Sequence, residues 1–183
     1  GIINSAKVLL DLIRFPNLVF LSFLQALVFA LYIRESAVPM ISPSFYFWTC
    51  LLPTLCILSF GNVGNDYIDK DSDLINQKRP FGLGKISESN LFTAFLFTTV
   101  LSVISAIVSA LMLHSILCFA IFVLIILLLF AYSLRLKCIP FLGNFLIAFL
   151  GAFAVFFPFI IYRINRYSFE INREEKLFLA FFC

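Results

Sequence analysis

The side chains most capable of chemistry lie in and just before a polar stretch, residues 66–88, between two long apolar segments. Asn65, Asp69 and Asp73 recur every fourth residue, which places them on one face of a helix within about 80° of each other. Asp66 lies three residues before Asp69 and joins this acidic set. Mg²⁺ prefers hard oxygen ligands and commonly bridges protein carboxylates to ligand phosphates. The spacing predicts metal ligands at Asn65, Asp66, Asp69 and Asp73, although a solvated role is open for Asp66.

Cations accompany these carboxylates. Lys78 and Arg79 follow the acidic residues in a Pro- and Gly-containing turn, and Tyr132, Arg135 and Lys137 form a second polar segment. Carboxylates beside fixed cations are arranged for a metal together with a phosphorylated ligand. The alternative is a solvated acidic loop and ordinary basic anchoring at the membrane surface, which explain such residues in many membrane proteins.

Composition decides which elements position these residues. The chain has 183 residues, of which 62% are hydrophobic and 13% charged, and its mean hydropathy is +1.06. Soluble domains carry roughly 25% charged residues, so we expect an integral, multi-pass membrane protein. No basic stripe with interleaved aromatic residues is present, which argues against nucleic acid as a partner. The five cysteines include no C-x-x-C pair, so neither a zinc site nor a disulfide framework is indicated.

Uncharged stretches of about 20 residues are long enough to cross a membrane as helices. We therefore predict an all-α, polytopic transmembrane helix bundle in a single domain, 1–183, surrounded by membrane lipids. The predicted spans are 15–33, 45–65, 89–113, 115–134 and 141–161, with the start of a sixth at 177–183. Pro53 and Pro158 lie inside spans, where neighbouring helices must cover the lost backbone hydrogen bond.

The order of the spans places the polar segments on one membrane face. Two predicted helices separate the loop at 66–88 from the basic connection at 135–140, so both connections lie on the same side. Eight Lys and Arg residues lie on that side and five on the other. The positive-inside rule then predicts that the polar face is cytoplasmic, and we expect the bacterial inner membrane.

These residues resemble the UbiA-type superfamily of intramembrane prenyltransferases. The first match is Asn65-Asp66-x-x-Asp69-x-x-x-Asp73 followed by Asn76, Arg79, Pro80 and Gly84, similar to the first Asp-rich motif of that family. The second is Tyr132-Ser133-Leu134-Arg135-Leu136-Lys137 with Pro140, Gly143 and Asn144. Arg14, Pro16 and Asn17 at the mouth of the first span also fit. The matching segments extend from Arg14 to Asn144, which is most of the chain.

The resemblance implies an enzyme that transfers a polyprenyl group from its diphosphate to an aromatic or other lipophilic acceptor, as in quinone or lipid biosynthesis. It implies Mg²⁺ as the cofactor. The roles it implies are catalysis by Asp69, Asp73 and Lys137, and substrate binding by Asn17, Arg79, Tyr132 and Lys137. The family also carries a second Asp-rich motif after its sixth span. Because this chain ends early in that span, we expect an amino-terminal portion that lacks half of the metal site and is inactive on its own.

Two alternatives remain at this point. A divalent-cation transporter would use the carboxylates as its binding site, but it predicts acidic residues near midspan, and the third to fifth predicted spans contain no charge. An enzyme of the same fold could instead use another phosphorylated donor, as in phosphoribosyl transfer to a polyprenyl phosphate.

Overall fold

The computed structural model describes the backbone of residues 2–32, 42–139 and 141–182, and the side-chain surroundings of residues 6–31, 42–139 and 141–163. All regular structure in these residues is helical, which confirms the predicted all-α class. A short 3-10 turn, Leu136–Cys138, accompanies the α-helices, which are α1 (Ile2–Leu12), α2 (Phe15–Tyr32), α3 (Pro43–Ile68), α4 (Lys70–Asn76), α5 (Arg79–Gly82), α6 (Glu88–Met112), α7 (Ile116–Leu134) and α8 (Leu142–Phe182).

Serine side chains cap the first turn of three long helices. The hydroxyl oxygens of Ser42, Ser87 and Ser115 accept a hydrogen bond from the backbone N–H three residues later, at the starts of α3, α6 and α7. Such caps satisfy one of the N–H groups that a helix start leaves without a partner. They fix where the apolar helices begin.

Within the described residues, four helices are long and apolar enough to cross a membrane, namely α3, α6, α7 and the Leu142–Arg163 part of α8. They lie over the predicted spans 45–65, 89–113, 115–134 and 141–161. A fifth candidate consists of α1 and α2 together, bent by 59°. These helices support the predicted multi-pass membrane bundle.

The bend between α1 and α2 occurs at Arg14. Its φ of +54° lies in the left-handed region, and its carbonyl accepts the first hydrogen bonds of α2, from Asn17 N at 2.8 Å and Leu18 N at 3.4 Å. The predicted first span, 15–33, starts where α2 starts, and its last residue, Ile33, lies outside the described residues. The bend directs the chain so that Arg14 reaches α3.

The region after the fifth predicted span differs from the sequence expectation. Residues 142–182 form one continuous helix, whereas the sequence suggested a polar connection before a new apolar run at 177. The connecting residues 163–176 contain neither Gly nor Pro, so no residue there strongly disfavours a helix. A sixth span starting at 177–183 stays a prediction, and Cys183 lies outside the described residues.

Both helix-interior prolines are covered by a neighbouring helix, as the sequence predicts. A proline lacks the N–H that would bond the carbonyl four residues earlier. For Pro53 that carbonyl belongs to Thr49, and the hydroxyl of Ser109 donates to it at 2.8 Å. For Pro158 it belongs to Ala154, and the side-chain amide of Gln25 donates to it at 2.5 Å. These bonds tie α6 to α3 and α2 to α8.

Candidate active site

Asn65 and Asp69 lie one turn apart at the carboxyl end of α3. The Asn65 side-chain amide donates to Asp69 Oδ2 at 3.1 Å, and both side chains are half-buried. One turn earlier, a Cβ on Gly61 would lie 3.1 Å from Leu129 Cδ1, so α3 packs closely against α7 directly below the polar pair. The pair is therefore held at the end of a packed helix.

Lys137 joins this pair from the distant polar segment. Its ammonium forms an ion pair with Asp69 and lies 3.4 Å from Asn65 Oδ1. The 3-10 turn Leu136–Cys138 presents it, and Gly143 lets this turn close on α8. A Cβ on Gly143 would lie 2.9 Å from both the Leu136 oxygen and Lys137 Cα, so any side chain there would clash. The two polar segments meet at one end of the helix bundle.

Asp66 faces a different set of cations. Its side chain is 2% exposed, and Oδ1 accepts a hydrogen bond from Arg14 Nη2 at 3.0 Å and lies 3.9 Å from Arg79 Nε. Its Oδ2 is buried without a hydrogen-bond partner among the described residues. Nearby, the Asn62 amide donates to the Ile13 carbonyl at 2.9 Å. These contacts fasten the α1–α2 bend to α3.

Asp73 lies in α4, one turn beyond Asp69. Its backbone N–H donates to the Asp69 carbonyl at 2.9 Å. Partial burial raises the pKa of the Asp73 carboxyl, and the charge of Asp69 raises it further, while Arg79, Lys137 and Lys78 act in the opposite direction. A like-charged neighbour disfavours the ionised form. The Asp69–Asp73 pair would therefore gain from an additional cation.

The remaining predicted substrate residues differ in their proximity to this cluster. Tyr132 is half-buried, and its ring borders the turn that presents Lys137, with Cε2 at 3.4 Å from a Cβ placed on Gly143. Asn17 is exposed in the first turn of α2, and its side chain makes no hydrogen bond within the described residues. The structure places Tyr132 beside the cluster and shows no contact that links Asn17 to it.

An apolar cavity of about 470 Å³ lies between α2, α3, α7 and α8. Its walls are aliphatic and aromatic apart from Thr54. Leu58 and Leu129 line the end of the cavity that is nearer to the charged cluster. Leu58 lies two helical turns before Asn65 on α3. At 1.5 Å per residue this is about 10 Å along the helix axis. A cluster of charges thus lies at one end of the bundle, above an apolar chamber.

Comparison with known families matches residues 20–181 to the UbiA prenyltransferase family. The chain belongs to this family. A digeranylgeranylglyceryl phosphate synthase from Methanobrevibacter smithii is 31% identical over 176 residues. That alignment covers 94% of the chain and 57% of the relative, so the chain spans little more than half of the relative's length. No solved structure matches the chain significantly.

The resemblance seen in the sequence is therefore confirmed at the level of the UbiA family. The helical membrane fold agrees with it, and the charged cluster lies on the two segments whose motifs carried the resemblance. The catalytic, substrate-binding and metal-binding roles predicted for individual residues are not tested by this match and stay predictions.

The residues present fit a divalent cation, and the set of four ligands, Asn65, Asp66, Asp69 and Asp73, stays a prediction. In the part of the chain that the structure describes, no three His, Cys, Asp or Glu side chains lie close enough to hold a metal ion together. Asn65, Asp69 and Asp73 supply oxygen donors at successive turns, and Mg²⁺ needs only one or two protein carboxylates when phosphates and waters complete its shell. Asp66 is set apart from these donors because Arg14 binds it.

Sequence reasoning missed the partner of Asp66. The order of the spans already placed Arg14, a cation at the mouth of the first apolar run, on the face that holds the Asp residues. Nothing in the sequence paired it with a residue 52 positions away. Parity predicts a shared face but not which side chains meet.

Proposed function

We propose that the whole protein transfers a prenyl group from a prenyl diphosphate to a lipophilic acceptor within the membrane. The observation that carries this proposal is the convergence of Asn65, Asp69 and Lys137 above the apolar cavity. Oxygen donors and a fixed cation suit a metal-bound diphosphate, and the cavity suits its hydrocarbon tail. A charged site followed by an apolar cavity matches a donor that has a charged head and a hydrocarbon tail.

The chemistry requires charge stabilisation at the diphosphate. As the allylic C–O bond breaks, its electron pair passes to the diphosphate, and the acceptor nucleophile bonds to the same carbon and loses a proton. A bound Mg²⁺ would neutralise part of the charge on the leaving group. In this proposal Lys137 and Arg79 bind the remaining phosphate oxygens, and Tyr132 donates one hydrogen bond. The apolar chamber excludes water from the allylic cation.

The acceptor is a separate part of this proposal. The name of the Methanobrevibacter smithii relative describes a glyceryl phosphate carrying two prenyl chains. By similarity we favour a lipid hydroxyl as the acceptor over the aromatic ring of quinone biosynthesis. The family match weakens the transporter alternative, and no specific contact favours a phosphoribosyl donor.

We also propose that the charged cluster faces the cytoplasm, because most Lys and Arg residues lie at that end of the spans. The bacterial inner membrane stays a prediction from the sequence.

Replacing a carboxylate of the cluster tests the proposed function. We expect Asp69→Asn in the full-length protein to lower Mg²⁺-dependent release of diphosphate from geranylgeranyl diphosphate by at least about 100-fold. A neutral amide would hold the proposed Mg²⁺ less tightly than a carboxylate, and the leaving diphosphate would then be less stabilised. Release is measured in nanodiscs with Mg²⁺ or with EDTA, and the prenylated lipid product is followed by mass spectrometry.

Asp71→Asn is the matched control. Asp71 is an exposed carboxylate in α4, two residues from Asp69, and makes no ion pair within the described residues. It should leave diphosphate release unchanged. Wild-type turnover in Asp69→Asn, or equal loss in both variants, would contradict the proposed site.

A further inference from the structure

The apolar cavity extends along the helices, away from the charged cluster. Its end near the charged cluster is formed by Leu58 and Leu129, and its far end by Thr54, Phe122 and Phe157. Along α3, Thr54 lies eleven residues from Asn65, or about 16 Å at the helical rise. A chain that enters from the cluster therefore runs along the helices toward the opposite membrane face.

A pair of aromatic rings closes the far end. The ring centroids of Phe122 on α7 and Phe157 on α8 lie 4.7 Å apart, and both side chains are buried in the main core cluster. Gln25 stabilises the same region through its hydrogen bond to the Ala154 carbonyl. Packed rings tied into the core do not move aside easily, because interiors are close-packed. The cavity therefore has a floor.

Gly151 lies midway along the α8 wall. It is two turns beyond Gly143, which borders the Lys137 turn, and six residues before Phe157. A Cβ built on Gly151 meets no atom within 4 Å, so a larger side chain there would extend into open space. Its neighbours on the same wall, Ala148 and Ala152, are also small. Gly151 is an exposed lining residue of the cavity, so there is room for a side chain at this level.

Resting on the proposed function, we propose that Gly151 determines which prenyl donors the enzyme accepts, by leaving the chamber open beyond its midpoint for tails as long as the distance to the Phe122–Phe157 floor. A short tail ends before Gly151, whereas a long tail must pass it. Adding a side chain at this position makes the chamber shorter without touching the charged cluster.

The test is donor selectivity in the full-length protein. We expect Gly151→Leu to lower the kcat/KM ratio of geranylgeranyl to geranyl diphosphate by at least about tenfold, the scale on which steric exclusion from an apolar pocket discriminates. Gly151→Ala should shift the ratio in the same direction by less. The kcat/KM for geranyl diphosphate should stay within about twofold of wild type, because diphosphate binding is unchanged.

Folding does not limit this experiment. The added side chain meets open space, and Leu has a higher helix propensity than Gly. Ala30→Leu is the matched control, since Ala30 is an exposed small residue of α2 that does not line the cavity. It should leave the donor ratio unchanged, and thermal unfolding of each variant in detergent verifies that all are folded.

The outcomes separate this inference from the proposed function. If Gly151→Leu lowers turnover of all donors equally, or leaves the ratio unchanged, Gly151 does not select donors, while the prenyl-transfer proposal stands on the Asp69 result. If the wild-type protein releases diphosphate from none of the donors, the proposed function fails and this inference fails with it.

Discussion

Asp66 is an almost fully buried carboxylate whose charge is balanced by Arg14. Removing one partner of a buried ion pair leaves an uncompensated charge, which is far more costly than removing both. We expect Arg14→Ala to lower the free energy of unfolding by about 2 kcal/mol, less than for a fully buried pair because Arg14 is 26% exposed. Thermal unfolding in detergent measures the loss.

A double-mutant cycle provides the control for this pair. In an Asp66→Asn background the buried negative charge is absent, so Arg14→Ala should cost much less there than in wild type. Equal costs in the two backgrounds would show that Asp66 and Arg14 do not depend on each other, and that the bend between α1 and α2 is held by other contacts.

Single residues show what the sequence could and could not predict about the site. The i, i+4 spacing places Asn65 beside Asp69, and the structure has this contact. The same pattern places Asp66 about 100° around the helix from Asn65, and there the structure pairs it with Arg14. Which cation pairs with the Asp66 carboxylate depends on where the α1–α2 bend places Arg14. The spacing of residues within one helix carries no information about that position.

At the scale of helices, the proline pairs show how the bundle is held together. Gln25→Leu removes the donor that covers the Ala154 carbonyl opposite Pro158, and it also removes Gln25 Oε1, which has no partner among the described residues. Leaving the Ala154 carbonyl without a donor costs more free energy than is gained by removing the unpartnered Gln25 oxygen. We expect a loss of about 1 kcal/mol in unfolding free energy, as for other hydrogen bonds between membrane helices. Thermal unfolding in detergent measures this loss as well.

Pro158→Ala is the diagnostic background for this bond. Alanine restores the backbone N–H, which can bond the Ala154 carbonyl within α8, so Gln25→Leu should then cost little or nothing. The Ser109–Thr49 bond opposite Pro53 offers the parallel pair, Ser109→Ala with or without Pro53→Ala. If Gln25→Leu costs the same in the wild-type and Pro158→Ala backgrounds, the amide stabilises α2 in another way.

Helix order explains why the meeting of the two polar segments was predictable while their exact contacts were not. Because α6 and α7 form a hairpin, the residues after α7 must return to the end where α3 finishes, whatever the packing angles are. The contact of Lys137 with Asp69 needs more, namely a 3-10 turn at Leu136–Cys138 and a close approach at Gly143. Both are set by tertiary packing, which periodicity does not encode.

For the whole molecule, the charged cluster and the apolar cavity divide the bundle into a polar end and an apolar interior. The polar end carries the ion pairs of Asp66 and Asp69, while the core cluster fills the space between α3, α6, α7 and α8. Composition predicted this membrane class because so few charges cannot cover a water-facing surface. The continuous helix at 142–182 was not predictable from hydropathy, since a polar segment can continue a helix beyond the membrane.

Because the polar residues lie at one end of the bundle, the orientation of the bundle in the membrane can be tested. Cys138 is exposed beside Lys137, and His114 is exposed at the opposite end of α7, about 30 Å away along the helix. In a chain whose other cysteines are replaced by Ser, we expect a membrane-impermeant maleimide to label Cys138 only after the membrane is opened. With Cys138 also replaced, His114→Cys should be labelled in intact cells, because the positive-inside rule places that end outside. The reverse pattern would place the charged cluster, and the diphosphate that we propose it binds, on the external face.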